Sequence, residues 1–401
     1  MRSRRAARLL IFVVVWLLYV SIPLAGQIGR ERFAQLISDN AALTESELSS
    51  LQNGETVVKI LKAADKREVS VFGVVRLREA GNIDLAAFRE ALSQKNNKAM
   101  LGGGILSTPP VLQDLAGLRL DDKDIRGLAN CMVGDCDLKL STPMIRRFQA
   151  EIDWSAVGHE IQASELFKQM LVEYARDYLK SGDKALLEYA DHNEPVSLET
   201  EYGELLNEAV LIRSFAPEFE NYLKKYPAAQ LSGVDGRLDW SKVDSGIKPI
   251  VTLTHGAGYS RQTNDGLLLA LVTKQIYASH YVDASLGFSA FVRFGAGESA
   301  DAYLIFTSIS RSDSLRGRLS GMAHKLVERE ALQKASDLLQ TTKVRIEAKE
   351  RASQESVVES PERGFFAKVS DFSQIPAVRV FAILIFAAII GFAVLRWRAG
   401  R

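Results

Sequence analysis

The chain is poor in cysteine and histidine, with two and five among 401 residues. A structural zinc site needs four ligands, and the pair Cys131 and Cys136 has no histidine following it at metal-ligand spacing. Covalent attachment of haem requires a histidine directly after the second cysteine, and Asp137 stands there instead. In an oxidising compartment, two cysteines this close, with Gly134 between them, are typical of a small disulfide loop. We therefore predict a structural disulfide, with a redox-active loop as the alternative, and no metal or cofactor.

The chain also lacks an excess of charge of either sign, since its formal net charge is +1. Eight arginines lie in the two terminal segments, which leaves the region between them mildly acidic. A protein that binds nucleic acid needs a basic surface, and none is indicated. No GxSxG motif of a serine hydrolase occurs. The sequence therefore excludes a nucleic-acid partner and identifies no catalytic residue.

Long apolar runs occur near both ends, at Leu9–Gly26 and Ile375–Leu395. Runs of this length can cross a bilayer, and the first one also fits a cleaved signal peptide. Arginines flank the outer end of each run, and basic flanks lie on the cytoplasmic side. These features predict a protein of the cell inner membrane with one or two spans and a large periplasmic, extracytoplasmic domain.

Strand and helix patterns alternate along the region between the two runs. Residues 55–61 and 67–79 are rich in β-branched side chains, which indicates paired strands, and 82–94 has helical spacing. Residues 142–226 are helical in pattern throughout. Four half-buried strand patterns then follow, separated by turn-compatible breaks, and a long amphipathic helix begins near Asp313. The predicted fold is α+β: an antiparallel sheet that grips a long C-terminal helix, with a helical insertion, between two transmembrane segments.

The predicted organisation has eight parts. They are a transmembrane anchor or signal peptide (1–26), a linker or helix (27–53), the first part of the α+β domain (54–110), a cysteine loop and helical insertion (111–244), the meander and long helix (245–349), a stalk (350–374), a transmembrane helix (375–396) and a cytoplasmic tail (397–401).

The stretch from Thr273 to Phe291 contains several residues of types common in active sites. Apolar and polar residues alternate along it, as expected for a strand with two different faces, and a turn should fall near 279–281. A catalytic relay within one strand is disfavoured, because residues on the same face stand about 6.6 Å apart. The other interpretation is that these side chains bind the polar end of a ligand. The candidates for that role are His255, Lys274, Tyr277, His280, Tyr281 and Asp283.

The order of elements resembles the START-like, helix-grip superfamily. The resemblance rests on GETVVKILKAADKREVSVFGVVRL near the start and SRSDSLRGRLSGMAHKLVEREALQKASDLL near the end, and it covers about 54–95 and 245–345. It implies a curved sheet around a long helix with an apolar cavity for a lipid or another hydrophobic molecule. It implies no catalytic residue.

The leading hypothesis from the sequence is a membrane-anchored protein that binds a hydrophobic ligand, possibly a lipid, between the sheet and the long helix. One alternative is a hydrolase-like enzyme that uses His255, His280 and Asp283. A second alternative is a non-enzymatic scaffold or assembly protein that binds a membrane protein partner through its helical middle, 142–226.

Overall fold

The structure is a computed structural model, and it describes residues 30–78, 83–93, 98–263, 266–295, 301–316 and 320–358. Ten strands lie in this part of the chain. They are β1 (Val57–Leu61), β2 (Glu68–Leu77), β3 (Met100–Ile105), β4 (Glu188–Tyr189), β5 (Val196–Ser197), β6 (Val234–Val243), β7 (Ile250–Thr263), β8 (Gly266–Ala278), β9 (Val282–Phe294) and β10 (Asp301–Ser312).

Eight of these strands form one antiparallel sheet in the order β1-β2-β10-β9-β8-β7-β6-β3. The predicted meander is confirmed as β7 to β10. The predicted turn is also confirmed, because β8 ends at Ala278 and β9 begins at Val282. Two strands of the sheet, β3 and β6, were not predicted.

Ten α-helices surround the sheet in the described residues. They are α1 (Arg30–Ala41), α2 (Glu45–Gln52), α3 (Leu85–Leu92), α4 (Asp122–Ala129), α5 (Thr142–Glu151), α6 (His159–Ser181), α7 (Leu198–Glu208), α8 (Val210–Phe215), α9 (Pro217–Lys224) and α10 (Ser320–Val358).

One face of the sheet packs against α1 and the helices of the predicted insertion. Side chains such as Val272 and Phe288 share a core there with Phe167 and Tyr202 of α6 and α7. Tyrosine hydroxyls fix the insertion to the strands: Tyr202 accepts a hydrogen bond from the Ser285 amide at 3.2 Å. The insertion is therefore a layer of the core rather than a separate unit.

The opposite face packs against α3 and α10. The buried side of α10 includes Val327, Ala331, Ala335 and Leu338, as the helical spacing predicts, but Met322, expected on the same face, is exposed. The predicted start near Asp313 is wrong, because Asp313–Leu315 form a 3₁₀ turn and the described helix begins at Ser320. Most of its contacts with the sheet are made to β2. The helix therefore packs on the N-terminal strands, and it is not centred on the late meander as the sequence suggested.

The predicted anchoring in a membrane is corrected by the structure. None of the helices that it describes is both long and apolar enough to cross a bilayer, and the longest, α10, carries charged side chains on most turns. The two predicted spans, 1–26 and 375–396, lie outside the described residues. The predicted fold class, in which the sheet lies between transmembrane segments, is therefore unsupported. The predicted inner-membrane location is also unsupported, and neither prediction is used below.

Candidate functional site

Two of the six candidate residues, His255 and Lys274, lie opposite each other on β7 and β8. Both are buried, and Tyr178 of α6 hydrogen-bonds to Nδ1 of His255 at 2.9 Å. The Lys274 ammonium pairs with Asp183 and lies 4.6 Å from the ring centroid of Tyr202. This pair faces the insertion helices. There the ring of His255 is bonded to Tyr178 and the ammonium of Lys274 to Asp183, so both side chains already have partners.

The next three candidates are dispersed around the turn between β8 and β9. Nε2 of His280 lies 3.1 Å from Oδ1 of Asp124, with both side chains buried. Tyr281 adopts a φ of 62°, which allows the sharp reversal, and its ring centroid lies 5.6 Å from that of His280. The hydroxyl of Tyr277 is fully buried and has no hydrogen-bond partner among the described residues, and burial raises its pKa well above the ordinary value. In the part of the chain that the structure describes, His280 therefore has a carboxylate partner and no hydroxyl nucleophile bonded to it.

Asp283 belongs to a third environment, a buried ion cluster around Lys139. The Lys139 ammonium lies 2.8 Å from Asp283, 2.7 Å from Asp313 and 3.5 Å from Asp191. Burial would lower the pKa of Lys139, but the three carboxylates raise it above its ordinary value. Asp283 is thus the counter-ion of a buried lysine. The structure does not bring it together with His255 or His280, because each of the three contacts a different partner.

The carboxylates of Asp191 and Asp313 also lie within 4.8 Å of the His192 ring nitrogen, a grouping that can ligate a metal ion. The ammonium of Lys139 already contacts both carboxylates, so the position carries its own positive charge. We therefore assign this group to the Lys139 cluster and not to a metal centre.

A second ion cluster surrounds Arg311 near the end of β10, on the face of the sheet covered by the insertion. Nη1 of Arg311 lies 2.9 Å from Glu201, Nη2 lies 2.7 Å from Glu208, and Nε lies 3.2 Å from Glu68. Glu204 also pairs with Nη1. One guanidinium therefore meets four carboxylates, and we call these five residues the Arg311 cluster.

Arg67 connects the two clusters. Its Nη1 lies 2.8 Å from Glu201 and 3.4 Å from Asp283. The connection joins α7, β9 and the loop before β2 through charges that are largely out of water. Such a network is rigid only while each charge keeps its partner.

Next to the Arg311 cluster lies an open-mouthed cavity of about 440 Å³. It is bounded by the end of α1, by β1, by the junction of α7 and α8, and by one face of β2, β9 and β10. Its walls are largely apolar, and two members of the cluster, Glu68 and Glu208, supply carboxylates to it. The main lining side chains are Lys59, Leu61, Lys62, Glu68, Ser70, Glu208, Leu211, Ile212, Phe288, Thr307 and Ile309. Of the two lysines, Lys59 is paired with Glu47 at 3.1 Å.

The carboxyl of Glu68 is the most unusual group in the cavity. Burial, with the neighbouring carboxyl of Glu208, raises the pKa of Glu68 to about 7, although Arg311 opposes the shift. A carboxyl group that titrates near neutrality inside a cavity marks a candidate site. We therefore take the cavity and its two carboxyl groups as the candidate functional site.

None of the lining residues was among the six candidates from the sequence. A partial signal existed, because Glu201, Glu204 and Glu208 recur at helical spacing on α7 and so form one acidic stripe. Their partner Arg311 lies more than one hundred residues away in the sequence. No local sequence pattern connects the acidic stripe of α7 with Arg311.

Comparison of the chain with protein-family models, curated proteins and solved structures finds no match. The resemblance to the START-like superfamily stays a prediction, and the site is interpreted from its own geometry.

Proposed function

We propose that this protein binds a small amphipathic molecule in the cavity beside the Arg311 cluster. The apolar part of the ligand would lie against Leu211, Ile212, Phe288 and Ile309. Its polar end would donate hydrogen bonds to Glu68 and Glu208. The observation that carries the proposal is the combination of an apolar cavity of ligand size with two convergent carboxyl groups.

The predicted location of the ligand, between the sheet and the long helix, is less favourable. Leu338 and Leu339 of α10 pack there against Val71, Val75 and Phe306 in a continuous apolar cluster. Leu339 lies so close to the sheet that a Cβ on Gly73 would come within 2.6 Å of it. That part of the interface is filled by side chains, so we place the ligand on the opposite face.

The charge of the cluster favours a cationic or strongly donating polar end. Four carboxylates surround the guanidinium of Arg311, with Arg67 as a second cation beside Glu201, and repulsion from Glu208 is part of what raises the pKa of Glu68. An amine placed between Glu68 and Glu208 would relieve that repulsion and form charge-assisted hydrogen bonds. A ligand with a carboxylate end would increase the repulsion among the carboxyl groups of the cluster.

Calorimetry with two matched amphiphiles, dodecylamine and dodecanoate, tests the proposal. Dodecylamine should bind, and it should bind more tightly at pH 8 than at pH 6, because the Glu68 pKa of about 7 lies between them. Dodecanoate should bind more weakly at both values. The purified protein, analysed by native mass spectrometry, should also retain a ligand with an amine or a comparable donor.

Three variants make the calorimetry specific to the cavity. Glu208→Gln should weaken the binding of dodecylamine at least about tenfold, since a charge-assisted hydrogen bond contributes about 1.5–3 kcal/mol. Ile309→Trp should fill the space and abolish binding, whereas Glu199→Gln, on the exposed first turn of α7, should change nothing. Binding that survives Ile309→Trp, or no binding of either amphiphile, would overturn the proposal.

A further inference from the structure

Strand β3 forms one edge of the eight-stranded sheet. It pairs with β6 on one side, and no strand among the described residues pairs with its other side. An open edge is a template for pairing with another strand, and proteins commonly protect it with charged side chains, proline or a β-bulge. From Ala99 to Leu106 the sequence AMLGGGIL has no charged residue and no proline, and the register shift in β3 lies between Met100 and Gly102, before the regular segment from Gly102 to Ile105.

The backbone of β3 directs hydrogen-bonding groups outward. The amide of Leu106 donates to the Leu238 carbonyl at 2.8 Å. This bond identifies Leu106 as a residue whose N–H and C=O groups point toward β6 in the antiparallel ladder. With the register Gly104↔Trp240 and Ile105↔Asp239, alternation places the peptide groups of Gly103 and Ile105 on the side away from β6. These groups are in position to extend the sheet.

The side chains at this edge are apolar and exposed. Leu101 is 54% exposed and Ile105 is 40% exposed. Val111, just before the short 3₁₀ turn (Leu112–Leu115) that follows, and Leu112 within it are exposed as well. Exposed apolar side chains beside backbone groups that no described strand pairs indicate an interaction surface.

The edge is held rigidly from beneath. The indole of Trp240 donates to the carbonyl of Asp114 at 2.9 Å, which fixes the 3₁₀ turn beside β3. A Cβ at Gly104 would lie 2.8 Å from the Trp240 Nε1, so glycine permits this close approach. The edge is therefore already ordered before a partner arrives.

The stretch from Leu101 to Ile105 is nearly palindromic in its chemistry: Leu-Gly-Gly-Gly-Ile. In an antiparallel pair with a two-fold axis through Gly103, Leu101 would lie opposite Ile105 of a second copy, and Ile105 opposite Leu101. Two copies would thus cover each other's exposed side chains with no like charges opposed. A two-fold contact requires this kind of self-complementarity, and it closes without leaving a further free edge at β3.

We propose that β3 pairs antiparallel with β3 of a second copy of this chain, joining two sheets into one continuous sheet across a two-fold axis at Gly103. The proposal is independent of the cavity and of its ligand. It assigns the open edge to self-association and not to an extended peptide from another protein.

Sedimentation of the purified full-length chain over a wide range of concentration tests the association. The unsubstituted chain should form a dimer. Gly103→Pro removes an outward amide but no hydrogen bond to β6, so it should weaken dimerisation at least tenfold while the fold is retained. Leu101→Lys with Ile105→Lys should do the same, because like charges would lie along both copies of the edge.

A matched pair of surface changes controls for added charge. Val157→Lys with Ile161→Lys alters two strongly exposed apolar residues away from β3 and should leave the dimer intact. Circular dichroism and thermal unfolding check that each variant is folded. A chain that stays monomeric overturns the proposal and leaves the edge available to a foreign extended peptide. A dimer that survives both edge variants overturns it as well.

Cross-linking tests the register. In the proposed pair, the two copies of residue 103 face each other at a distance that suits a disulfide. Under mild oxidation, Gly103→Cys should form a covalent dimer rapidly, and Val157→Cys should not. If the two variants cross-link equally, the two-fold axis does not lie at Gly103 and the proposal fails.

Discussion

The ammonium of Lys274 lies opposite the imidazole of His255 across the β7–β8 ladder, and the lysine helps to keep the histidine neutral. Burial, followed by the charge of Lys274, lowers the pKa of His255 to about 3. The neutral ring then keeps its hydrogen bond to Tyr178 throughout the physiological range. These two residues are thus a structural pair that holds α6 on the sheet.

This pair predicts a loss of stability in acid. In the unfolded chain His255 regains its ordinary pKa of about 6.5 and takes up a proton that the folded state excludes. Stability should therefore fall as the pH drops from about 6.5 towards 3, by about 2 kcal/mol between pH 6.5 and 5 from this residue. Urea unfolding across this range should show a smaller loss in His255→Gln than in the unsubstituted chain.

Tyr178→Phe provides the matched control. It removes the hydrogen bond to His255 and should cost about 1 kcal/mol throughout this acid range, because burial keeps the pKa of Tyr178 far above it. Equal acid sensitivity in His255→Gln and the unsubstituted chain would contradict the assignment of this loss of stability to His255.

Glu68 should give a pH dependence of the opposite sign. Its folded pKa of about 7 lies above the ordinary value of 4.5, so the folded state holds a proton that the unfolded chain has released. Stability from this group is complete below pH 4.5 and is lost as the pH rises through 7. Glu68→Gln keeps an acceptor for Arg311 and should be less sensitive over this window, by on the order of 2 kcal/mol. Thermal unfolding at pH 5 and pH 8 measures the difference.

Lys139 should be among the most sensitive positions in the protein. Lys139→Met leaves Asp191, Asp283 and Asp313 near one another without the central cation, and breaking a buried ion pair from one side costs about 3–5 kcal/mol. Adding Asp283→Asn to this variant should recover part of the loss, because one of the repelling charges is removed. Denaturant unfolding of the single and double variants measures their free energies of unfolding. Losses that simply add would show that the two side chains are not coupled.

Local periodicity was sufficient to predict the meander and the buried stripe of α10, since each element shows a regular alternation of apolar residues. It was insufficient for β3, where three glycines interrupt the pattern and the strand state depends on pairing with β6, a tertiary effect. In β6, Asp235, Arg237 and Asp239 do alternate with less polar residues, which is a strand signal. That signal was overlooked because the segment was assigned to the helical insertion.

The site was less predictable than the fold. Most candidate residues were selected because reactive residue types were close in sequence. Alternation along the strands and the turn at 279–281 place the side chains of His255, His280 and Asp283 beside different partners. The Arg311 cluster was missed because its members come from β2, α7 and β10. Long-range pairing of this kind leaves no trace in a window of ten or twenty residues.

The bond between Cys131 and Cys136 confirms the predicted disulfide, and its position in the fold gives it a further consequence. The amide of Cys136 donates to the carbonyl of Asp191 at 3.0 Å, so the loop is tied to the segment that supplies a carboxylate to Lys139. Replacing both cysteines by serine should cost about 2 kcal/mol through the entropy of a short unfolded-state loop.

A loss confined to that amount would identify the loop as a local staple, whereas a larger loss would show that the loop also positions the Lys139 cluster. Combining the replacement with Lys139→Met separates the two outcomes in denaturant unfolding. If the loop acts through the cluster, the combined loss should be smaller than the sum of the separate losses.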